Sequence, residues 1–448
     1  MLAALVTSLV VAASPATSKL IPYEKYALPN GLRVILSEDH RTPVVAVMVW
    51  YHVGAANEAP GKSGFAHLFE HMMFQGSKHR TGNEGEFFST LQAAGATGVN
   101  GTTNFDRTNY FEVLPANRLE LGLWLESERM GFLLDAMDQK KLDIQRDVVR
   151  NERRQSVENR PYGRAEVRLA ELLFPEPHPY YGSVIGSHAD LQAASLDDVK
   201  AFFRRNYVPN NAVLAIVGDI QPAEVKPLVE KYFGSIPGGA PVPVPSVTFQ
   251  PLTAQKRETL TDNVQLSRLI VGMAMPPAHG SDAFYAAELL SDVLAIGKSS
   301  RLYESLVYRQ KLATAVKMDF EVARFPSYAE IDVTLAPGVS AEKAEAALQA
   351  ELKRLRDAPP SQEEVDRAQR NRVARTLRAL ERVGGFGGKA DALESGEFWA
   401  GNPGLIDTIV ARWKAVTPAD VQAVATACTR PEQQVVLLVN PAPRTASR

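Results

Sequence analysis

The chain has 448 residues, of which 45% are hydrophobic and 22% charged, and a formal net charge of −2. This length predicts two or three domains, and the composition is that of a globular protein. The near-neutral charge without a basic stripe argues against a nucleic-acid partner. Its single cysteine, Cys428, excludes an intramolecular disulfide and a cysteine-rich zinc site, so His and carboxylate side chains must hold any metal.

The first element in chain order is an apolar segment, Leu2 to Ala13, followed by small and polar residues up to Lys19. It resembles a secretory signal with its cleavage region, although no Lys or Arg precedes the apolar run. A packed or disordered N-terminal arm is the alternative. The segment is too short to span a bilayer comfortably. We therefore expect residues 1–18 to direct export, to the periplasm in a bacterium, and we expect no membrane span.

His67 and His71 carry the strongest chemical signal, because they lie four residues apart in a segment predicted to be helical. At helical pitch both rings project from one face and can reach a single metal ion. Glu70 shares that face, apolar side chains occupy the other, and Ser63 is the expected N-cap. Paired histidines also occur by chance on solvated helices. Glu70 between them, however, makes the inverted form of a metalloprotease signature.

A catalytic zinc site usually takes three protein ligands and leaves one position for water, so a third ligand is needed. Glu152 lies in a helix predicted over residues 139–159, on a stripe with Val148 and Val149. A carboxylate on an apolar stripe needs a cation or a metal, and a neighbouring Arg could equally satisfy it. The other candidates are His52, His79, His188 and, in a predicted turn, His178.

A faint internal repeat divides the chain into two halves. Val199 and Val421 each follow a Ser/Thr-x-x-Asp capping pattern, and Val213 and Val435 each lie in an apolar strand pattern. Both pairs have the same offset (421 − 199 = 222 and 435 − 213 = 222). The same offset aligns the strand containing Val47 with a second apolar strand beginning near residue 269.

The repeat also tests the metal site, because its second copy lacks the ligands. The same offset places Leu289, Asp292 and Val293 opposite the two His and the Glu of the first half. A structural requirement of the fold would recur in both copies. The His pair is therefore predicted to serve chemistry.

The two halves are separated by a Pro/Gly-rich stretch that we interpret as a linker. We assign residues 1–18 to the signal-like segment, 19–235 to a metal-bearing domain, 236–256 to the linker and 257–448 to a homologous domain without metal. Each half shows strands, helices and a closing helix–strand pair. The predicted fold class is α+β, with two related domains.

Two motifs together resemble the pitrilysin–insulinase family of zinc peptidases, in its short, processing-peptidase-like branch. They are His67-Leu-Phe-Glu-His71 and, further downstream, Asn151-Glu-Arg-Arg154. Weaker likenesses extend over most of the chain after the signal-like segment: Asn30–Leu36, Gly98–Thr103, Asn159–Tyr162 and Ser299–Tyr303.

This resemblance implies a role for five residues. His67, His71 and Glu152 would bind one Zn²⁺ per chain, although such a site also accepts other divalent ions. Glu70 would be the general base that activates the zinc-bound water. Asn100 would contact substrate from an edge strand; the alternative is an ordinary turn Asn. The resemblance also implies mostly antiparallel sheets covered by helices, which form half of a clamshell chamber, and a metalloendopeptidase that cleaves unfolded peptides.

The family encloses substrate between four such domains, so a chain with two implies a dimer. Many members also carry an Arg/Tyr pair that holds substrate, and the matching positions here are Val307 and Thr314. Arg301 and Tyr308 have the right spacing in a different register, so we judge the pair absent. We expect a paralogous partner without the metal motif to supply it, with a homodimer as the alternative. A non-catalytic assembly subunit and a metal-stabilised peptide-binding protein are the competing functions.

Overall fold

The computed structural model describes residues 19–82, 84–245, 247–275 and 278–443. The expected signal-like segment, residues 1–18, lies outside this part of the chain. Within the described ranges, none of the helices has both the length and the apolar composition that crossing a membrane requires.

The first half builds a mixed sheet around two strands of apolar, β-branched residues. Its strands are β1 (Glu24–Ala27), β2 (Arg33–Glu38), β3 (Val44–Tyr51), β4 (Thr97–Thr103), β5 (Thr108–Pro115) and β6 (Ala212–Gly218). They lie in the order β1-β2-β6-β3-β5-β4, which leaves β4 at an edge. Neighbours are antiparallel except β2 and β6. Strands β3 and β6 are buried almost throughout, as expected for central strands covered on both faces.

The second half repeats this sheet. Its strands are β7 (Lys256–Asp262), β8 (Arg268–Met275), β9 (Ala313–Glu321), β10 (Ser327–Leu335) and β11 (Gln434–Pro441). Their order, β7-β11-β8-β10-β9, matches the first sheet from β2 onward, including one parallel pair, β7 with β11. Val213 and Val435 occupy the equivalent strands β6 and β11. The predicted α+β class with two related, mostly antiparallel sheets covered by helices is confirmed.

The longer helices of the first half are α1 (Phe65–Met72), α2 (Glu84–Ala93), α3 (Leu119–Gly131), α4 (Gln139–Arg153), α5 (Gly163–Leu173), α6 (His188–Ala193), α7 (Leu196–Asn206) and α8 (Pro222–Phe233). Those of the second half are α9 (Asp282–Ala295), α10 (Ala341–Asp357), α11 (Gln362–Ala379), α12 (Lys389–Ala400), α13 (Leu405–Ala415) and α14 (Pro418–Cys428). Helices α7 and α14 begin with the predicted capping boxes, Ser195 with Asp198 and Thr417 with Asp420.

The two halves exchange helices across the linker. Helix α5 precedes the linker but packs Leu169 and Leu173 against the second sheet. The close approach requires Gly272 in β8, where a Cβ would lie 2.5 Å from Leu169. Helix α12 follows the linker but packs Leu393 and Phe398 against the first sheet. Each core is therefore completed by the other half, and the division at residues 236–256 stays a prediction about folding units.

Ion pairs reinforce this exchange. The Lys389 Nζ atom, at the start of α12, lies 2.7 Å from a carboxylate oxygen of Asp39 beyond the end of β2. The Arg41 guanidinium, with Lys389, holds the pKa of Asp39 well below its usual range. Further along α12, the buried Glu397 accepts hydrogen bonds from Lys25 and Arg33 of the first sheet. The covering helix is thus fixed by charge as well as by apolar packing.

Substituting Leu393 with Ala should lower the free energy of unfolding by about 2–5 kcal/mol, because the side chain is fully buried between α12 and the first sheet. The matched control is Leu377→Ala on α11, where the side chain is 42% exposed and the expected change is below about 1 kcal/mol. Urea titrations followed by fluorescence would measure both. Equal losses in the two variants would contradict the helix exchange.

Candidate metal centre and active site

Helix α1 begins directly after Gly64, whose φ of 88° lies in the left-handed region. Its first N–H groups are satisfied by a loop carboxylate: Glu58 accepts hydrogen bonds from Gly64 N (3.0 Å) and Ala66 N (2.7 Å). The prediction of Ser63 as N-cap is wrong, because the hydroxyl of Ser63 donates to Asp190 instead. The start of α1 is therefore set by a carboxylate that belongs to the preceding loop.

Helix α1 has one packing face and one chemical face, as its sequence predicts. The packing face joins the core of the first half and consists of Phe65, Leu68, Phe69 and Met72. On the other face, His67, Glu70 and His71 line a cleft of about 390 Å³. Strand β4 and the last turn of α4 supply the opposite walls, so three separate elements enclose the same space.

Helix α4 brings Glu152 to this cleft. Asp138 caps the helix by accepting a hydrogen bond from the backbone N–H of residue 141. The buried stripe of α4 contains Val149, whereas Val148 is 38% exposed, so Val148 does not belong to the packing face as expected. Because the α-helix ends at Arg153, Glu152 lies in its last turn, beside α1.

Three possible metal donors converge from the two helices. The Nε2 atom of His71 lies 3.2 Å from one carboxylate oxygen of Glu152, and the Nε2 atom of His67 lies 3.7 Å from the other. One ligand atom from each of the three residues falls within 4.8 Å of the others. Donors about 2.0–2.1 Å from a tetrahedral ion lie roughly 3.3 Å apart, close to the 3.2 and 3.7 Å that separate the imidazole nitrogens from the carboxylate oxygens.

The electrostatics of the donors also suit a metal. Burial, together with the nearby His71, lowers the pKa of His67 to about 4, which keeps its ring neutral and able to bind a cation. A hydrogen bond from His71 lowers the pKa of Glu152 below its usual value, which keeps that carboxylate ionised. The set therefore offers two imidazole nitrogens and one carboxylate, the donor types that catalytic zinc takes.

Glu70 lies beside the three donors without belonging to the set. Its side chain is buried, and burial raises its pKa although a hydrogen bond from Thr103 opposes this effect. The Thr103 hydroxyl donates to Glu70 Oε2 at 2.6 Å. A carboxylate held beside a metal site without coordinating the ion is placed to transfer a proton. Thr103 gave no chemical signal in the sequence, because a Thr in a strand is ordinary.

Asn100 lies on the edge strand β4, opposite Phe111 in the register, and lines the same cleft. The alternative of an Asn in a turn therefore does not describe its position. The aromatic rings of Phe74 and Phe88 stack with centroids 5.2 Å apart and form an apolar wall of the cleft. Neither Phe was singled out from the sequence, since each fits a core-facing helix pattern.

The other candidate histidines lie in different environments. The His52 ring is within hydrogen-bond distance of Arg33 (2.9 Å), His79 contacts Glu128 (2.8 Å) and His188 contacts Glu158 (2.7 Å). The His178 ring stacks on Phe174. Among the described residues, the only group that could hold a metal ion is the one containing Glu152.

In the second half, the helix contact equivalent to that between α1 and α4 contains ion pairs. Asp292, which the repeat aligns with Glu70, contacts Arg372 (2.8 Å) and Arg375 (3.0 Å) from α11. Arg372 also pairs with Glu288 at 2.8 Å. Leu289, aligned with His67, is fully buried. The same helix pair is thus joined by arginine–carboxylate contacts instead of metal donors.

Comparison with known proteins assigns the chain to a family. The description "Insulinase (Peptidase family M16)" matches residues 33–173, which contain all the donors, and "Peptidase M16 inactive domain" matches residues 193–372. The zinc protease PqqE of Helicobacter pylori is 31% identical over 370 residues, covering 82% of each chain. The chain belongs to the insulinase family of M16 peptidases.

Solved structures agree with this membership. A protease from Helicobacter pylori superposes with a TM-score of 0.87 at 27% identity, covering 94% of this chain and 100% of that one. The first half of the periplasmic protease PqqL from Escherichia coli has a TM-score of 0.74 at 20% identity, covering 93% and 91%. The latter likeness concerns the fold alone.

Replacing His71 with Ala should remove most of the zinc from this M16 chain, because it deletes one of three donors. Metal content measured by mass spectrometry after dialysis against zinc should fall from about one ion per chain to near zero. His40→Ala, at a half-exposed His that contacts Asp219, is the matched control and should keep its zinc. Equal zinc in both variants would refute the site.

Proposed function

We propose that the chain is a zinc-dependent endopeptidase that hydrolyses unfolded peptides. The observation that carries the proposal is the convergence of His67, His71 and Glu152 beside Glu70, in a cleft bounded by an edge strand. Membership of a peptidase family and similarity to a zinc protease support it.

The donor set defines what a bound ion would do here. A Zn²⁺ ion bound here would supply Lewis acidity, which lowers the pKa of a coordinated water to about 7 and polarises a carbonyl oxygen. His67, His71 and Glu152 would hold the ion. Glu70 would accept a proton from the attacking water and return it to the leaving amine, a role supported by its position beside the three donors, where the Thr103 hydroxyl holds it.

Strand β4 offers a way to bind substrate. As an edge strand it carries unpaired backbone groups, and an extended peptide can add to it as a further strand. Asn100 lies on this strand at the cleft, where its side chain can contact the added peptide. Backbone pairing of this kind requires a locally unfolded segment, so unfolded peptides are the proposed substrate class.

A partner subunit would complete the chamber. The Arg301 guanidinium forms two hydrogen bonds with Glu364, at 2.6 and 2.8 Å, and is therefore engaged within its own half. Tyr308 is 74% exposed to solvent. Neither observation favours an internal Arg/Tyr pair. We propose a clamshell dimer with a paralogous chain that supplies the pair, acting after export to the periplasm.

Replacing Glu70 with Gln should abolish peptide cleavage while the protein keeps its zinc and its melting temperature. The amide preserves the shape of the side chain but cannot accept the proton, so a loss of at least about 10³-fold in kcat is expected. Glu86→Gln on α2 is a control outside the donor set. Cleavage by Glu70→Gln at the wild-type rate would contradict the general-base assignment.

The partner proposal has its own test. The purified chain, loaded with zinc and assayed alone on a library of unfolded peptides, should cleave slowly and gain activity when a paralogous chain is added. Size-exclusion chromatography with light scattering would show whether the gain accompanies dimer formation. Full activity of the chain alone would reject the need for a second type of subunit.

A further inference from the structure

Strand β4 holds the Glu70 carboxylate through one of its two oxygens. The Thr103 hydroxyl lies 2.6 Å from Oε2 of Glu70. The other hydroxyl near Thr103, that of Thr108, lies 3.4 Å away, so the much shorter contact with Glu70 takes the proton of Thr103. Oxygen Oε2 is therefore occupied as an acceptor from the strand.

The second oxygen of Glu70 lies over Gly101, two residues earlier on the same face of β4. A Cβ at this position would lie 3.2 Å from Oε1, 3.3 Å from Cγ of Glu70 and 3.1 Å from the Tyr110 ring. These distances are shorter than ordinary van der Waals contact. The absence of a side chain at Gly101 thus gives the carboxylate its place against the strand.

We propose that Gly101 and Thr103 form a seat that orients the general base, with Thr103 as a positioning residue that holds Oε2 and leaves Oε1 to accept the proton from water. This inference rests on the proposed hydrolytic function. A carboxylate held in one orientation needs no rearrangement before it takes the proton.

The second sheet shows that the fold itself does not require this seat. Gly101 and Thr103 face Tyr110 and Thr108 on β5. At the equivalent register of the second sheet, Met318 faces Ile331 and Phe320 faces Ala329. Bulky apolar side chains thus stand where the metal-bearing half has a glycine and a hydroxyl. The small and polar pair occurs in the half that carries Glu70.

The hairpin that carries the seat is anchored at its turn to the second half. Both carboxylate oxygens of Asp106 lie 2.8 Å from the hydroxyl of the fully buried Tyr180. The backbone N–H groups of Arg324 and Phe325 donate to that same hydroxyl, at 2.8 and 3.0 Å. Since β4 is also the strand proposed to bind substrate, one anchored strand would fix both the register of the peptide and the position of the base.

Thr103→Val tests the seat, because it removes the hydroxyl at nearly constant volume. We expect kcat to fall by about 10- to 100-fold with KM within about two-fold of wild type, and zinc content and melting temperature unchanged. Thr103→Ser, which restores the hydroxyl, should recover most of kcat. Thr314→Val, on the edge strand of the second sheet, is the matched control and should behave as wild type.

A double-mutant cycle separates this inference from the proposed function. In the Glu70→Gln background, Thr103→Val should neither lower the residual rate further nor change the dissociation constant for an uncleaved peptide, measured by fluorescence anisotropy. Gly101→Ala is a second variant and should lower kcat in the same way as Thr103→Val. Three results would each contradict the positioning role. They are an unchanged kcat in both single variants, no recovery of kcat in Thr103→Ser, and a fall in rate on Thr103→Val that is as large in the Glu70→Gln background as in the wild type. Full cleavage by Glu70→Gln would instead overturn the proposed function.

Discussion

The contact between α1 and α4 is the constraint on which the chemistry of this protein depends. Two histidines one helical turn apart fix two donors, but they define no closed site without a third. Packing of the apolar stripe of α4 brings Glu152 within 3.2 Å of His71. A shift of α4 by one residue would rotate that carboxylate away by about 100°. Ordinary core packing therefore sets the spacing of the three possible metal donors.

The second half shows the same scaffold without that chemistry. Its corresponding helices are joined by ion pairs from Arg372 to Asp292 and Glu288, so the charged groups that line the helix contact remain paired. Buried charges need partners, and arginine can meet this need where a metal does not. At this helix contact, the repeated fold thus accommodates either a set of possible metal donors or arginine–carboxylate ion pairs. The first half differs also at its edge strand, where the absence of a side chain at Gly101 leaves space for Glu70 and the Thr103 hydroxyl donates a hydrogen bond to it.

Much of the fold follows from local patterns in the sequence. The repeat placed Val213 and Val435 in equivalent strands, and the capping patterns identified the starts of α7 and α14, because strand burial and helix capping are short-range properties. The exchange of α5 and α12 between the halves was not predicted, since it depends on contacts between distant segments. The N-cap of α1 was wrong for a similar reason, because a carboxylate six residues upstream of Gly64 satisfies the helix.

The candidate site also contains residues that local sequence patterns predict and residues that they do not. Helical periodicity was enough to pair His67 with His71. The sequence pattern around Glu152 is also that of an ordinary helix carboxylate that pairs with a neighbouring Arg. Only the family resemblance therefore identified it as the third ligand. Thr103 could not be found from spacing, because its role depends on which strand lies beside α1.

X-ray absorption at the zinc edge on the zinc-loaded chain is the most direct test of the central claim. The account predicts a single site with two imidazole nitrogens and a carboxylate oxygen at about 2.0–2.2 Å, and loss of the carboxylate contribution in Glu152→Ala. A coordination shell with fewer than two imidazoles, or one unchanged by Glu152→Ala, would contradict it.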